Sequence, residues 1–198
     1  MTSPRDADAA TIRLRGVAFR ACSPDKTDLV KTAAATREDP GRFNTERFGA
    51  VYLSREPDTA IAEVRRMVAR EGKSLVDAHP CAILAVTVDV DNIVDLTTPV
   101  ARAAWGLSLD DLQSDDMDRC REAAAHIARA GASGVRWPSA AANGQSLALY
   151  IDQLSEPARV AISNTYALSC EMLHAIERGT SATQLVSALA ELPVLQSR

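Results

Sequence analysis

The sequence predicts one α+β domain built on mixed, mostly antiparallel strands, and three observations carry that reading. Short apolar runs of strand length, such as CAILAVTVDV (81–90), are rich in β-branched residues. They alternate with segments whose apolar residues recur at helical spacing, such as TAIAEVRRMVAR (59–70). No internal repeat or linker-like break divides the chain, so a single core is expected.

Residues 1–11 read as a loose polar tail, and 12–198 as one domain. IRLRGVAF (12–19) alternates weakly and predicts a first strand that runs into Arg20. The turn-rich segment 21–40 predicts a loop holding a short helix. AVYLS (50–54) is a strand by length and composition, and Pro57-Asp58-Thr59 then starts a helix with Ile61, Val64 and Val68 on one face. CAILAVTVDV is the clearest strand; IVDL (93–96) follows Asp91-Asn92 either as a hairpin partner or as a bent continuation. TTPVARAAWGL (97–107) places Pro99 at the first position of a capped helix. DDLQSDDMDRCREAAAHIARAG (110–131) reads as one further helix ended by Gly131. SGVRWPSA (133–140) and SLALYID (146–152) read as strands around an Ala-Asn-Gly loop. Residues 157–168 offer two shorter β-like pieces, and TSATQLVSALAEL (180–192) a last amphipathic helix.

Composition excludes several function classes. The net charge of −4 leaves no basic footprint for direct nucleic-acid binding. No segment approaches the ~20 continuous apolar residues of a membrane span, and the polar N-terminus lacks the apolar core of a signal peptide. A cytoplasmic protein is expected. The four cysteines are widely spaced with no C-x-x-C pair, which suits free thiols. The three histidines are equally scattered, so no metal site is expected. Neither a Walker-type phosphate loop nor a G-x-S-x-G elbow is present.

Chemistry-bearing residues stand at the edges of the apolar runs. Arg20 closes the first strand, Arg42 follows Gly41, Tyr52 is central in a strand, and Glu63 lies on the helix after it. Ser139 follows Trp137-Pro138. Singly, each has an ordinary explanation. Glu63 can pair on its own helix with Arg66 or with Lys73, the arginines can be surface charges, and Tyr52 can pack in the core.

Together, FRA (19–21), GRFN (41–44), AVYLS (50–54), AIAEV (60–64) and VRWPSA (135–140) occur in one order within residues 15–155. This pattern resembles the RES-domain family, the Arg-Glu-Ser toxins of Xre/RES-type toxin–antitoxin pairs. DLTTPVARAAWGL (95–107) and SDDMDRC (114–120) are similar to an NAD-degrading branch of it. Three departures are visible: Pro40 stands where the family often has Gly, Phe43 where it has Trp, and Ala21 where the nearest toxin branch can carry an aromatic after the first arginine.

The resemblance implies a compact fold related to ADP-ribosyltransferases that binds NAD+ and cleaves its nicotinamide–ribose bond. ADP-ribose would pass to water or to inorganic phosphate, with NAD+ as substrate and no cofactor. Glu63 is implied as the catalytic carboxylate, and Arg20, Arg42, Tyr52 and Ser139 as NAD-binding residues. A guanidinium fork suits the pyrophosphate, and an aromatic face suits the cationic nicotinamide ring. Nicotinamide leaves as a neutral molecule, so one carboxylate suffices for the oxocarbenium-like centre. Transfer of ADP-ribose to a protein target is the enzymatic alternative, although Ile61 stands two residues before Glu63, where such transferases carry Glu or Gln. A catalytically inactive binding module is the other. The implied partner is a cognate antitoxin, a DNA-binding helix-turn-helix protein that blocks the active site near the 21–40 loop.

Overall fold

Why the strands close on one another follows from their lengths and faces. The computed structural model describes residues 11–191. Six strands are present there: β1 (Thr11–Cys22), β2 (Val51–Ser54), β3 (Cys81–Asp95), β4 (Gly134–Pro138), β5 (Gln145–Leu149) and β6 (Arg159–Leu168). They lie in the order β1-β2-β5-β4-β3-β6, and a further β1–β3 pairing joins the ends of the first five into a ring. All pairings are antiparallel except β3–β4, which matches the mixed, mostly antiparallel expectation.

Seven helices pack around the strands: α1 (Leu29–Ala35), α2 (Pro57–Arg70), α3 (Pro99–Ala104), α4 (Leu109–Gln113), α5 (Asp118–Arg129), α6 (Cys170–Glu177) and α7 (Ala182–Glu191). α2 buries Ile61, Val64 and Val68 against Ile83, Leu168 and Leu173. Each such aliphatic side chain contributes roughly 1.5–3 kcal/mol when fully buried. A second core sets Phe43, Trp137 and Tyr150 against Ala124 and Ile127 of α5. A third is shared by β1, β2, β3 and β5 through Leu14, Leu53, Val86 and Leu147.

Several elements differ from the sequence expectation for local reasons. The Asp91-Asn92 step is a bend within one long strand: Asn92 takes φ 60 and its Nδ2 donates to Gly131 O at 2.8 Å. The helix expected over 110–131 breaks in two at 114–117. There Asp116 N donates to Ser114 Oγ (3.0 Å) and Asp118 N to Asp116 Oδ1 (3.0 Å), side-chain acceptors that outcompete the helical carbonyls. The pieces expected over 157–168 are one strand, with an irregular register opposite Ala85/Val86. α6 was not expected, although Ser169 caps it by accepting from Met172 N at 3.3 Å. The expected tail, apart from Thr11, and the last residue of the expected final helix lie outside the described residues.

All four cysteines are free, and burial pushes the Cys81 thiol up to about 11. Among the described residues, no group of three or more His, Cys, Asp or Glu could hold a metal ion, and no helix is long and apolar enough to cross a membrane.

Candidate active site

The carboxylate at the centre of the site is positioned by the strand–turn–helix unit 51–70. Ser54 ends β2 opposite Ser146 of β5, and Ser146 in turn faces Trp137 of β4. Alternation along the strands puts Tyr52, Ser54, Ser146, Ala148 and Trp137 on one face. Pro57 opens α2 immediately afterwards, and six residues later the helix returns Glu63 to this face. Glu63 Oε1 accepts from Ser139 Oγ at 2.7 Å and from Ser146 Oγ at 3.1 Å. Its other oxygen, Oε2, has no hydrogen-bond partner among the described residues.

The ordinary pairing of Glu63 with a helix neighbour does not occur. Arg66 and Arg70 both go to Asp115, and Lys73 goes to Glu71. Arg66 also donates to Ala140 O (2.8 Å) and Gln113 O (3.1 Å), which ties the strand-to-loop segment after β4 to α2. Ser139 is 5% exposed; its Oγ also accepts from Ala141 N at 3.0 Å, and its N–H donates to Gly144 O at 2.8 Å. Its single proton is thus committed to Glu63. Gly144 is required where it stands: a Cβ there would lie 2.0 Å from Thr59 Oγ1 in the first turn of α2.

Tyr52 is held by its hydroxyl and free at part of its ring. The OH donates to Asn44 Oδ1 (2.8 Å) and accepts from Phe43 N (2.9 Å). Burial pushes its pKa well up, against the smaller opposing effects of the Phe43 N–H, Arg121 and Arg42, so the phenol stays neutral. The ring meets Trp137 edge-on at 6.2 Å and lies against Gly41, where a Cβ would come within 2.6 Å of the phenol oxygen. The second residue of GRFN-x₇-Y is therefore glycine-preceded for steric reasons.

The two arginines have different surroundings. Arg20, half-buried at the end of β1, donates from Nη1 to Tyr52 O at 3.1 Å, while its buried Nε has no partner. Arg42 is 8% exposed, and its fork is engaged on carbonyls: Nη1 with Asp111 O (2.9 Å) and Nη2 with Ser114 O (2.6 Å). No hydrogen bond links it to Glu63, Ser139 or Ser146. Of the five residues singled out in the sequence, the structure joins Glu63 and Ser139 directly, places Tyr52 on the same face, and ties Arg20 to the Tyr52 backbone. Arg42 instead secures the α4–α5 connection.

Sequence reasoning missed Ser146. Its signal was a hydroxyl residue opening the apolar run SLALY, seven positions after Ser139. It also missed Arg102, an arginine buried in the short helix PVARAA. Arg102 lines a cavity of about 620 Å³ beside Ser139, together with Arg55, Thr97, Asn143 and Gln145.

Comparison with known proteins identifies the family. The family model described as "RES domain" matches residues 17–170. The chain is 31% identical over 133 residues to the NAD(+) phosphorylase MbcT of Mycobacterium tuberculosis and of Mycobacterium bovis, covering 65% of this chain and 70% of those proteins. The crystal structure of the M. tuberculosis MbcT–MbcA toxin–antitoxin complex superposes with a TM-score of 0.75 at 26% identity, over 86% of this chain and 93% of that one. The chain belongs to the RES-domain family.

Proposed function

We propose that this chain is the NAD+-degrading toxin of a toxin–antitoxin pair, and that it cleaves the nicotinamide–ribose bond and passes ADP-ribose to inorganic phosphate. The observation that carries the reading is the state of Glu63: one oxygen fixed by two serine hydroxyls and, among the described residues, the other unengaged and no cation paired with it. Neutral donors orient a carboxylate without cancelling its charge. A charge so placed stabilises the oxocarbenium character that develops on the ribose as the bond breaks. The nicotinamide ring nitrogen takes the bonding electron pair and loses its positive charge, so no general acid is needed.

The other residues take roles that suit their surroundings. Ser139 positions Glu63, since its proton is already given to it. The Tyr52 ring offers an aromatic face to the nicotinamide, as cation–π attraction favours. Arg20, anchored through Nη1 on Tyr52 O, supplies donors for the pyrophosphate from the rest of its guanidinium. Arg42 supports NAD+ binding by fixing the α4–α5 connection beside GRFN.

The family likeness supports an ADP-ribosyltransferase-like fold over 12–198 as one domain and a cytoplasmic site of action. The similarity to MbcT in its complex with MbcA supports a cognate antitoxin, a DNA-binding helix-turn-helix protein that covers the active site. Purified protein incubated with NAD+, with and without phosphate, tests the activity by following nicotinamide and the sugar product. A phosphorylated ADP-ribose formed only with phosphate is expected. Free ADP-ribose in both conditions makes water the acceptor, a label on a second protein makes the chain a transferase, and intact NAD+ overturns the reading.

A further inference from the structure

The cavity beside Ser139 holds a second set of cations that the residues discussed above leave unused. Arg102 is 8% exposed. Its Nη1 donates to Leu96 O and Thr97 O, both at 3.0 Å, while Nε and Nη2 have no partner among the described residues and are not sealed from the cavity that Arg102 lines. A guanidinium anchored at one nitrogen and open along its other edge is a preorganised fork for an oxyanion. Arg55, on the turn between β2 and α2, lines the same cavity. Its backbone N–H is held by Gln145 O at 2.9 Å, and its side chain bonds to no described residue. Asn143 and Gln145 add side-chain amides to the wall. Glu56 is the one carboxylate in the lining, and its Oε2 accepts from Thr59 Oγ1 at 3.3 Å. The two arginines outnumber it.

We propose that this cavity is the binding site for inorganic phosphate, with Arg102 and Arg55 as its oxyanion-holding side chains, and that it delivers the acceptor to the ribose beside Glu63. The inference rests on the phosphorolysis reading above. Ser139 is shared between the two regions: it lines the cavity and donates to Glu63 at 2.7 Å. In the step itself, an oxygen lone pair of the hydrogen phosphate dianion forms the new bond to the ribose carbon. The carbon–nitrogen bond breaks, and its pair goes to the nicotinamide nitrogen. Neutral nicotinamide leaves, and the proton the phosphate brought stays on the sugar phosphate monoanion. Two arginines lower the repulsion between this dianion and Glu63, which otherwise share one small region.

The test compares wild type with Arg55→Gln, which removes no protein hydrogen bond, and Arg102→Lys, which keeps a charge but not the fork. Two quantities are read: calorimetric titration with inorganic phosphate against matched chloride, and the separate KM values for phosphate and NAD+. Each variant is expected to weaken phosphate binding and raise the phosphate KM by about tenfold or more, the scale of a lost charge-assisted bond, with the NAD+ KM little changed. A raised NAD+ KM with phosphate binding intact overturns the assignment and gives the arginines to the substrate's own pyrophosphate. Unchanged values for both also overturn it. If wild type binds phosphate through these arginines yet consumes no NAD+, the anion site stands and the enzymatic reading falls. If NAD+ is consumed by phosphorolysis and neither variant alters phosphate, the reverse holds.

Discussion

Two carboxylates that meet β4 and the residue just after it, one from β3 and one from α2, have opposite fates. Asp95, at the end of β3, faces Arg136 of β4 directly in register. Both its oxygens are taken by the guanidinium, Oδ1 from Nε at 3.1 Å and Oδ2 from Nη2 at 2.5 Å, with both side chains under a fifth exposed. Three residues beyond Arg136, Ser139 reaches Glu63, which among the described residues receives two hydroxyls on one oxygen and no cation. The first arrangement neutralises a charge and fastens the parallel β3–β4 junction. The second orients a charge and leaves it active. A half-buried pair of the first kind holds strands together, whereas on the function proposed above the carboxylate held by hydroxyls would face the positive centre of the substrate.

That contrast can be broken at either end. Glu63→Gln is nearly isosteric, still meets Ser139 and Ser146, and should leave the melting temperature near wild type. Turnover should fall by about 10²–10⁴-fold, the scale of a positioned catalytic group; wild-type turnover would remove Glu63 from the centre. Asp95→Asn should do the opposite. Leaving the half-buried Arg136 without its counter-charge is expected to cost about 2 kcal/mol in a denaturant titration, the scale of hydrogen bonds to a charged group, with turnover at low temperature retained.

Smaller effects sharpen the roles of the serines. Ser139→Ala and Ser146→Ala should each lower kcat by roughly tenfold, as expected for losing one hydrogen bond to a charged group, with the NAD+ KM changing less. Because both donate to one oxygen, the double variant should depart from additivity; strict additivity would mean that they do not share Glu63.

The smallest expected effect is in pH. Burial raises the Asp95 carboxyl, but the bonds from Arg136 and Thr97 outweigh it and hold the group below its ordinary value. Asp58 is likewise held low, because the Thr183 and Ser181 hydroxyls and the Ala182 N–H outweigh its burial. For a carboxyl depressed in the folded state, the stabilisation is fully present above the unfolded value near 3.8 and is lost as pH falls toward the folded one. Thermal melts from pH 5 downward should therefore fall in steps that Asp95→Asn makes shallower; an unaltered slope would remove Asp95 from the acid transition.

The fold was legible wherever one local pattern decided the outcome. CAILAVTVDV reads as a strand, and Pro57 followed by Ile61, Val64 and Val68 as an amphipathic helix that opens on proline. It was illegible where local competitors were weak. Ser114 and Asp116 split a helix that periodicity alone would continue, and Asn92 bends a strand rather than turning it.

The site divides the same way. Glu63 and Ser139 were found through ordered motifs, not through any visible pairing, because 76 residues separate them. Arg42 shows the limit: its residue type suited a phosphate, but its partners Asp111 O and Ser114 O lie 69 and 72 positions away. Ser146 was missed because it stands at the edge of a polar loop, after Gln145, and Arg102 because it sits alone among apolar neighbours. Only the sheet register and the cavity give them meaning.

The ring of strands has a dynamic consequence. β3 is hydrogen-bonded along both edges, to β1 on one side and to β6 and β4 on the other. No opening of the ring frees β3 without breaking two ladders at once. Its amides should therefore be the last to exchange with deuterium, approaching the free energy of global unfolding. α2 is joined to the ring by no strand ladder but by Ile61, Val64 and Val68 packed against Ile83 of β3, by the hydroxyls on Glu63 and by Arg66 on Ala140 O. Detachment of α2 would separate Glu63 from its serines while the strand ladders persist, and activity is expected to disappear ahead of the sheet structure on heating.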